Sequence, residues 1–328
     1  MNKKLIIILF LTSYVLLLNS ASAQTTQDRS LFPIKQNGKY GYIDNTGRII
    51  IKPKFDNAWE FSEELAAACT NGNWGYIDKT GVYIIHPQYD WAEDFSQGLA
   101  RVSVGDKNYY IDRTGKTIFK SQYSESGNFS ELLTWVRAGD EYGYIDNKGK
   151  KAIKLQFEWA GNFSEWLGVV RQNQKYGFIN RNGAFVIDPL FDWASSFSES
   201  LAAVKMGDKY GYIDKQRRIK ITPIYNDAGD FREGLARVQV NSWWGFIDKK
   251  GEYVINPQFL WVDDFCEGLA AVKDTNRKYG YINKASKFTI KAKFESALSF
   301  SGGLAKIEMN GKWGYIDKTG KYIWEPTE

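Results

Sequence analysis

Carboxylates are the groups in this sequence with the numbers and the regularity to do chemistry. Asp44, Asp78, Asp112, Asp146, Asp214, Asp248 and Asp317 return at matching places, with Asn180 and Asn283 standing in twice. A suitably spaced pair of such acids would cleave a glycosidic bond, and a cluster would hold calcium. Most stand in an Asp-x-x-Gly string, where Asp accepts hydrogen bonds from backbone amides two residues on and Gly closes a hairpin in the left-handed conformation. Asn makes the same turn, so turn formation accounts for the whole series. One acid per turn falls short of the roughly 6–8 oxygens of a calcium shell. The single histidine, His86, stands where sister segments carry Lys52, Lys120, Lys154 or Asp188, a variable and solvated position. That removes Ser-His-Asp, Cys-His and histidine-based zinc chemistry together. Cys69 and Cys266 lie far apart and have no partner base, and two separate thiols are expected. No glycine-rich phosphate loop occurs. The expectation is no catalytic residue, no metal site and no cofactor.

Aromatic residues offer binding instead. One position, just before a small residue in a recurring connector, reads Asn57, Trp91, Glu125, Trp159, Trp193, Asp227, Trp261 and Ser296. A site that takes Asn, Glu, Asp and Ser is exposed, so four tryptophans there are not obligatory core. Exposed aromatics along one edge suit a protein partner or stacking on a sugar ring; the bland alternative is a Trp that lies flat over apolar surface. A second group, Tyr109, Trp135 and Trp166, replaces Gly, Ala or Arg, and Gly or Ser, of the other copies. Irregular aromatics in neighbouring repeats either line a local pocket or mark decay of the repeat.

These residues are positioned by a repeat. Tyr/Trp-Gly-Tyr/Phe-Ile-Asp recurs with Gly41, Gly75, Gly143, Gly177, Gly211, Gly245, Gly280 and Gly314; the step is 34 residues, or 35 from Gly245 to Gly280. A period of this size signals a repeat architecture. In one unit, Leu99–Val104, Asn108–Asp112 and Lys116–Lys120 are β-prone runs joined by two turns, which predicts a three-stranded antiparallel meander. Pro53, Pro87, Pro189, Pro223 and Pro257 then mark the strand end. The connector places Phe55, Ala58 and Phe61 three apart, a spacing that suits a single helical or 3₁₀ turn. Leucines from Leu31 to Leu304 open nine complete units, leaving no spare strand to complete a blade at the other end. Propeller blades usually have four strands, about 40–45 residues and about 4–8 copies. The expected fold is therefore all-β: nine meanders of ~34 residues stacked as a solenoid-like or curved array, with a closed propeller-like ring as the alternative. Pro33, in the first strand, would blunt an exposed edge.

Residues 1–23 read as a secretory signal peptide: Lys3 and Lys4, an apolar run from Leu5 to Leu18, and Ala21-Ser22-Ala23 before the cut. Residues 24–30 read as a short linker and 31–328 as one repeat domain. Losing the leader lowers the formal net charge from +5 to +3, with charges interspersed, which is no footprint of a nucleic-acid binder. No later run would span a membrane as a helix.

The Tyr/Trp-Gly-Tyr/Phe-Ile-Asp motif, its x-x-Gly turn, the Pro-x-Phe/Tyr step and segments such as Phe95-Ser96-Gln97-Gly98-Leu99-Ala100 resemble the bacterial WG-repeat (KWG-repeat) proteins over essentially the whole mature chain. The third unit departs, with Tyr109 for Gly and Ser121 for Pro. The resemblance implies a β-rich scaffold and brings no catalytic residues. Together the readings predict an exported, non-enzymatic repeat protein that binds a protein partner in the cell envelope or outside the cell, with a glycan as the alternative ligand.

Overall fold

A computed structural model describes residues 30–327. The expected signal peptide and residues 24–29 of the expected linker lie outside the described residues. The chain forms nine antiparallel sheets, three-stranded in the first and four-stranded in the other eight. Blade 1 holds β1 (Phe32–Gln36), β2 (Lys39–Ile43) and β3 (Ile49–Phe55); blade 2 adds a two-residue strand, so it runs β4 (Asn57–Ala58), β5 (Ala66–Thr70), β6 (Asn73–Ile77) and β7 (Tyr83–Tyr89). The later blades repeat this pattern.

The connector is thus not a helical turn. Its residues pair in antiparallel register with the next strand, Asn57 with Cys69 and Ala58 with Ala68, and the same pairing recurs in every later blade. The three-residue spacing that imitated a helix has another origin. Phe55 ends the outer strand, Ala58 points inward from the short strand, and Phe61 packs edge-on to Tyr42 at 5.0 Å.

Nor is the array open. Tyr315 of blade 9 donates from its hydroxyl to the Pro33 carbonyl of blade 1 at 2.9 Å, and Thr327 donates to the Lys35 carbonyl at 3.2 Å. Phe32, Ile34 and Ile43 pack with Leu304, Tyr315 and Trp324. The chain closes into a nine-bladed β-propeller, which corrects the solenoid-like reading. The physical reason is a wedge. Seven of the eight four-stranded blades are two residues long at the short-strand edge, where small residues such as Ala58, Ala92, Ala194 and Ala228 are buried. The opposite edge is mostly a seven-residue strand. Wedges stacked in one sense curve, and nine of them return to the start. Each blade fits within 34 residues because its first strand is so short. No strand is shared across the seam, as the leucine phase implied, and Pro33 does lie on the unpaired edge of β1.

The core lies between sheets rather than within them. Tyr212, Ile221 and Tyr225 of blade 6 pack against Ala228, Phe231 and Val238 of blade 7, and similar clusters recur around the ring. Where the motif has tyrosine it reaches across the joint: Tyr42 donates to the Trp59 carbonyl, Tyr76 to Glu93, Tyr144 to Gly161 and Tyr212 to Gly229. The Phe-Ser-Glu segment is a second clasp. Ser62, Ser96, Ser130, Ser164 and Ser198 each donate to the carbonyl of the next blade's phenylalanine at 2.7 Å. The following Glu accepts the turn amide of the next blade and an ion pair from its hairpin, as Glu199 does with Gly234 N–H and Lys249. Glu63 with Arg113, Glu165 with Lys215 and Glu233 with Lys284 repeat it. At the seam the Glu position is Gly302, with φ of +58°, where a Cβ would come within 2.7 Å of Ser30.

Burial pushes the Glu199 carboxyl up, but the bonds from Lys249 and the Gly234 amide outweigh it and hold its pKa below the ordinary 4.5; Glu63, Glu165 and Glu233 behave alike. A carboxyl depressed in the folded state contributes stability above its unfolded pKa and loses it as pH falls through the folded value. The melting temperature is therefore expected to hold near neutrality and to fall as pH drops below 4.5. Thermal melts across pH check this, and a flat profile from about pH 5 to pH 3 would show that the clasps contribute nothing.

The motif glycine and the proline belong to one device. Tyr176 pairs with Phe191 and Phe178 with Ile187, so the outer strand bulges by two residues opposite Gly177. A Cβ on Gly177 would sit 2.6 Å from the Ile187 carbonyl oxygen and 2.7 Å from the Pro189 nitrogen. The prolines therefore sit inside the outer strand at its bulge, where no ladder amide is needed, and not at its end as expected. Blade 3 shows the converse. With Tyr109 in place of Gly, the outer strand stops at Lys120 after four residues, and Ser121 replaces Pro.

Candidate functional site

Antiparallel order puts successive turns of the chain on alternate faces of the ring. One face carries the Ser-Glu turns and the Asp-x-x-Gly hairpins, as the Lys79–Glu64 and Arg113–Glu63 ion pairs show. The Asp-x-x-Gly turns form as expected: Asp112 accepts from Thr114 N–H at 2.9 Å and Lys116 N–H at 3.1 Å, and Asn180 does the same with Asn182 and Ala184. The other face carries the blade-to-blade links. There Asp56, Asp90 and Asp192 cap the next hairpin by accepting from Asn71, Gly105 and Gly207 N–H.

Trp91, Trp159, Trp193 and Trp261 each begin a short strand on this link face, in one register, opposite Ser103, Arg171, Lys205 and Lys273. Three are well exposed, Trp91 at 45%, Trp159 at 37% and Trp261 at 44%, while Trp193 is half-buried. Each leans on an aromatic that precedes a motif glycine: Trp91 on Trp74 at 5.4 Å, Trp261 on Trp244 at 5.5 Å, Trp159 on Tyr176 at 5.8 Å and Trp193 on Tyr210 at 5.6 Å. These side chains cover a ring on one side and leave indole surface open on the other.

The irregular aromatics are dispersed. Tyr109 packs partly buried on the core between blades 2 and 3. Trp135 lies against Tyr142 at 5.6 Å and over Gly127, where a Cβ would meet its indole nitrogen at 2.2 Å. Trp166 sits in a Ser-Glu turn on the face opposite the connector tryptophans, 64% exposed, with φ of +73°. Among the described residues no ring contact joins the three. A bulky residue held at positive φ is strained, and the Glu131 carboxylate, accepting from Trp166 N–H at 2.9 Å, holds it there. His86 is exposed, and both cysteines are free thiols.

A cavity of about 380 Å³ opens between the short-strand edges of three successive blades, lined by Trp59, Trp91, Glu93, Asp94, Ser126 and Asn128 among others. Three blades meet around one small cavity only near the axis, so the short strands form the inner edge. Trp59 stacks on Trp74 at 5.4 Å and 10°, and meets Trp91 at 5.8 Å and 64°. Burial, then the Glu60 and Glu93 charges, push the Asp94 carboxyl above its ordinary value. Sequence reading passed over Trp59 and Asp94. The available signal was the residue two before each connector phenylalanine: Trp59 is the one aromatic among Glu93, Gly127, Gly161, Ser195, Gly229, Asp263 and Leu298.

Among solved structures, the chain is similar to a eukaryotic initiation factor at 12% identity, covering 90% of this chain and 94% of that one with a TM-score of 0.64. It also matches apo AztD from Citrobacter koseri (11% identity, 90% and 93% covered, TM-score 0.46) and BamB from Moraxella catarrhalis (9%, 77% and 92%, TM-score 0.44). At these identities the first likeness shows the fold alone. No curated protein matches. The WG containing repeat matches at residues 40–74, 74–107, 110–141, 142–176, 176–210, 210–242, 244–278 and 279–313. Those eight consecutive stretches take in most of the propeller, and on them the chain belongs to the WG containing repeat family.

Proposed function

We propose that this protein is an exported, non-enzymatic propeller scaffold that captures a protein partner, in the cell envelope or outside the cell, on its link face. The carrying observation is the shared register of Trp91, Trp159, Trp193 and Trp261 on one rim, with open indole surface at three of them. Tryptophan is among the residues enriched at the anchors of protein interfaces. The leader-like residues 1–23 support export. The scarcity of histidine and the structural duty of the turn carboxylates support a binding role over turnover.

The test is pull-down from envelope extracts with the wild type and with a variant carrying Trp91→Ala, Trp159→Ala, Trp193→Ala and Trp261→Ala. The expected result is a specific protein recovered by the wild type and lost, by at least about ten-fold, with the variant. Equal recovery refutes the rim. A glycan array run alongside decides the carbohydrate alternative, since saturable saccharide binding that needs the same tryptophans would replace the protein reading.

A further inference from the structure

Blades 7 and 8 show the tryptophan pair of blades 2 and 3 met by a cation of the chain's own. Trp244 and Trp261 meet at 5.5 Å and 66°, and the Arg237 guanidinium lies over both rings, 5.6 and 5.5 Å from their centroids. Asp264 balances the charge: Arg237 Nε is 3.2 Å from one carboxylate oxygen, and Arg232 Nε is 3.3 Å from the other. The Arg237 contact is charge to charge, since neither Arg237 Nε nor that oxygen makes a hydrogen bond.

Five units earlier the same frame recurs with its cations removed. Trp74 and Trp91 meet at 5.4 Å and 59°, and Asp94 stands where Asp264 does. Ala67 replaces Arg237 and Ser62 replaces Arg232. Gly229, over which Arg237 lies, is replaced by Trp59, whose ring stacks on Trp74 and meets Trp91 as the guanidinium does their counterparts. Glu93, beside Asp94, is already held by Arg101. Among the described residues Asp94 has neither an ion pair nor a hydrogen-bond donor. Beside Trp59 opens a cavity of about 380 Å³ with the Trp59 and Trp91 indoles and the unpaired Asp94 carboxylate on its wall. Indole faces attract cations, and the exposed Asp94 carboxylate beside them supplies the opposite charge.

We propose that this cavity binds an organic cation, a guanidinium or alkylammonium group, between Trp59, Trp91 and Asp94. The fold answers the same frame with its own guanidinium at Arg237, and with the Lys306 ammonium over Trp313 at 5.0 Å in blade 9. This deepens the reading of the link face, on which it rests through Trp91.

The experiment is isothermal titration of the folded chain with tetramethylammonium, with N-acetyl-arginine methylamide, and with neopentyl alcohol as the neutral match in shape. Saturable one-to-one binding of either cation, at least about ten-fold tighter than the alcohol, is the expected result. The tighter cation distinguishes a free amine from a side chain as the source. Asp94→Asn, isosteric and partly exposed, is expected to weaken binding at least about ten-fold. A Trp59→Gly, Ala67→Arg double variant, which copies the blade 7 residues, is expected to remove one indole wall, set a guanidinium on Trp74 and Trp91, and abolish binding; circular dichroism checks that both variants fold. Equal affinity for the alcohol, or an affinity unchanged by Asp94→Asn, overturns the proposal. Absence of cation binding while a partner is still captured through the rim sinks the cavity alone. Cation binding with no partner sinks the rim alone.

Discussion

Gly177→Ala is expected to cost about 3 kcal/mol, because one methyl group would be driven into backbone atoms that cannot rotate away. Its Cβ would lie 2.6 Å from the Ile187 carbonyl oxygen, 2.7 Å from the Pro189 nitrogen and 2.8 Å from the Asp188 carbonyl carbon. The outer strand would have to lift at its bulge, and Phe191, buried against the next blade, would move with it. At about 2–4 °C for each kcal/mol in a chain of this order, melting is expected roughly 6–12 °C lower. Gly139→Ala is the control. That glycine has φ of +60° and nothing within 4 Å of its would-be Cβ, so the change carries backbone strain without a clash and is expected to cost about 1 kcal/mol. Equal melting temperatures for the two variants would refute the close-approach account. Blade 3 already shows the relaxed answer, where Tyr109 at this position coincides with an outer strand of only four residues.

The second large effect is expected at the seam. Every other joint of the ring has a peptide link of one to a few residues between blades. The joint of blade 9 with blade 1 has only side-chain packing and a few bonds, those of Tyr315 and Thr327 among them. Phe32 lies 5.5 Å from the Tyr315 ring and fills the joint with Ile34 and Leu304. Phe32→Ala combined with Trp324→Ala is expected to remove ~3–5 kcal/mol for the buried phenylalanine alone, and to open the ring rather than unfold it. Small-angle scattering would show a larger radius of gyration while far-ultraviolet circular dichroism keeps its β signature. Phe231→Ala is the matched control, since Phe231 is fully buried at a joint that keeps its peptide link. It is expected to lower stability without enlarging the particle. An unchanged radius in the seam variant would mean that closure does not depend on this packing.

Much of the blade was legible in the sequence. The Asp-x-x-Gly turns and the three-strand meander follow from local rules, since each concerns residues close in the chain. The connector misled because its apolar spacing has two possible causes. Phe55, Ala58 and Phe61 imitate a helical turn, yet each is buried by a different neighbour, and the register with the following strand shows only when that strand is in place. The candidate site divided in the same way. Comparison among the copies singled out Trp91, Trp159, Trp193 and Trp261, because exposure is a property of a column of equivalent positions. It passed over Trp59 and Asp94, because the two come together only where successive blades pack side by side.

By itself, then, the sequence determined the unit: its period, its turns, the residues that must be glycine, the copies that break the pattern, and the family they mark. The tertiary structure decided the ring and what sits across its joints. Closure depends on a taper that most of the sheets share, from a two-residue inner strand beside buried alanines to a seven-residue outer strand, summed around the ring. No single unit records that sum. Whether a carboxylate such as Asp94 or Asp264 meets a cation likewise depends on a residue one blade back, Ala67 or Arg237, and packing between blades alone brings the two within reach.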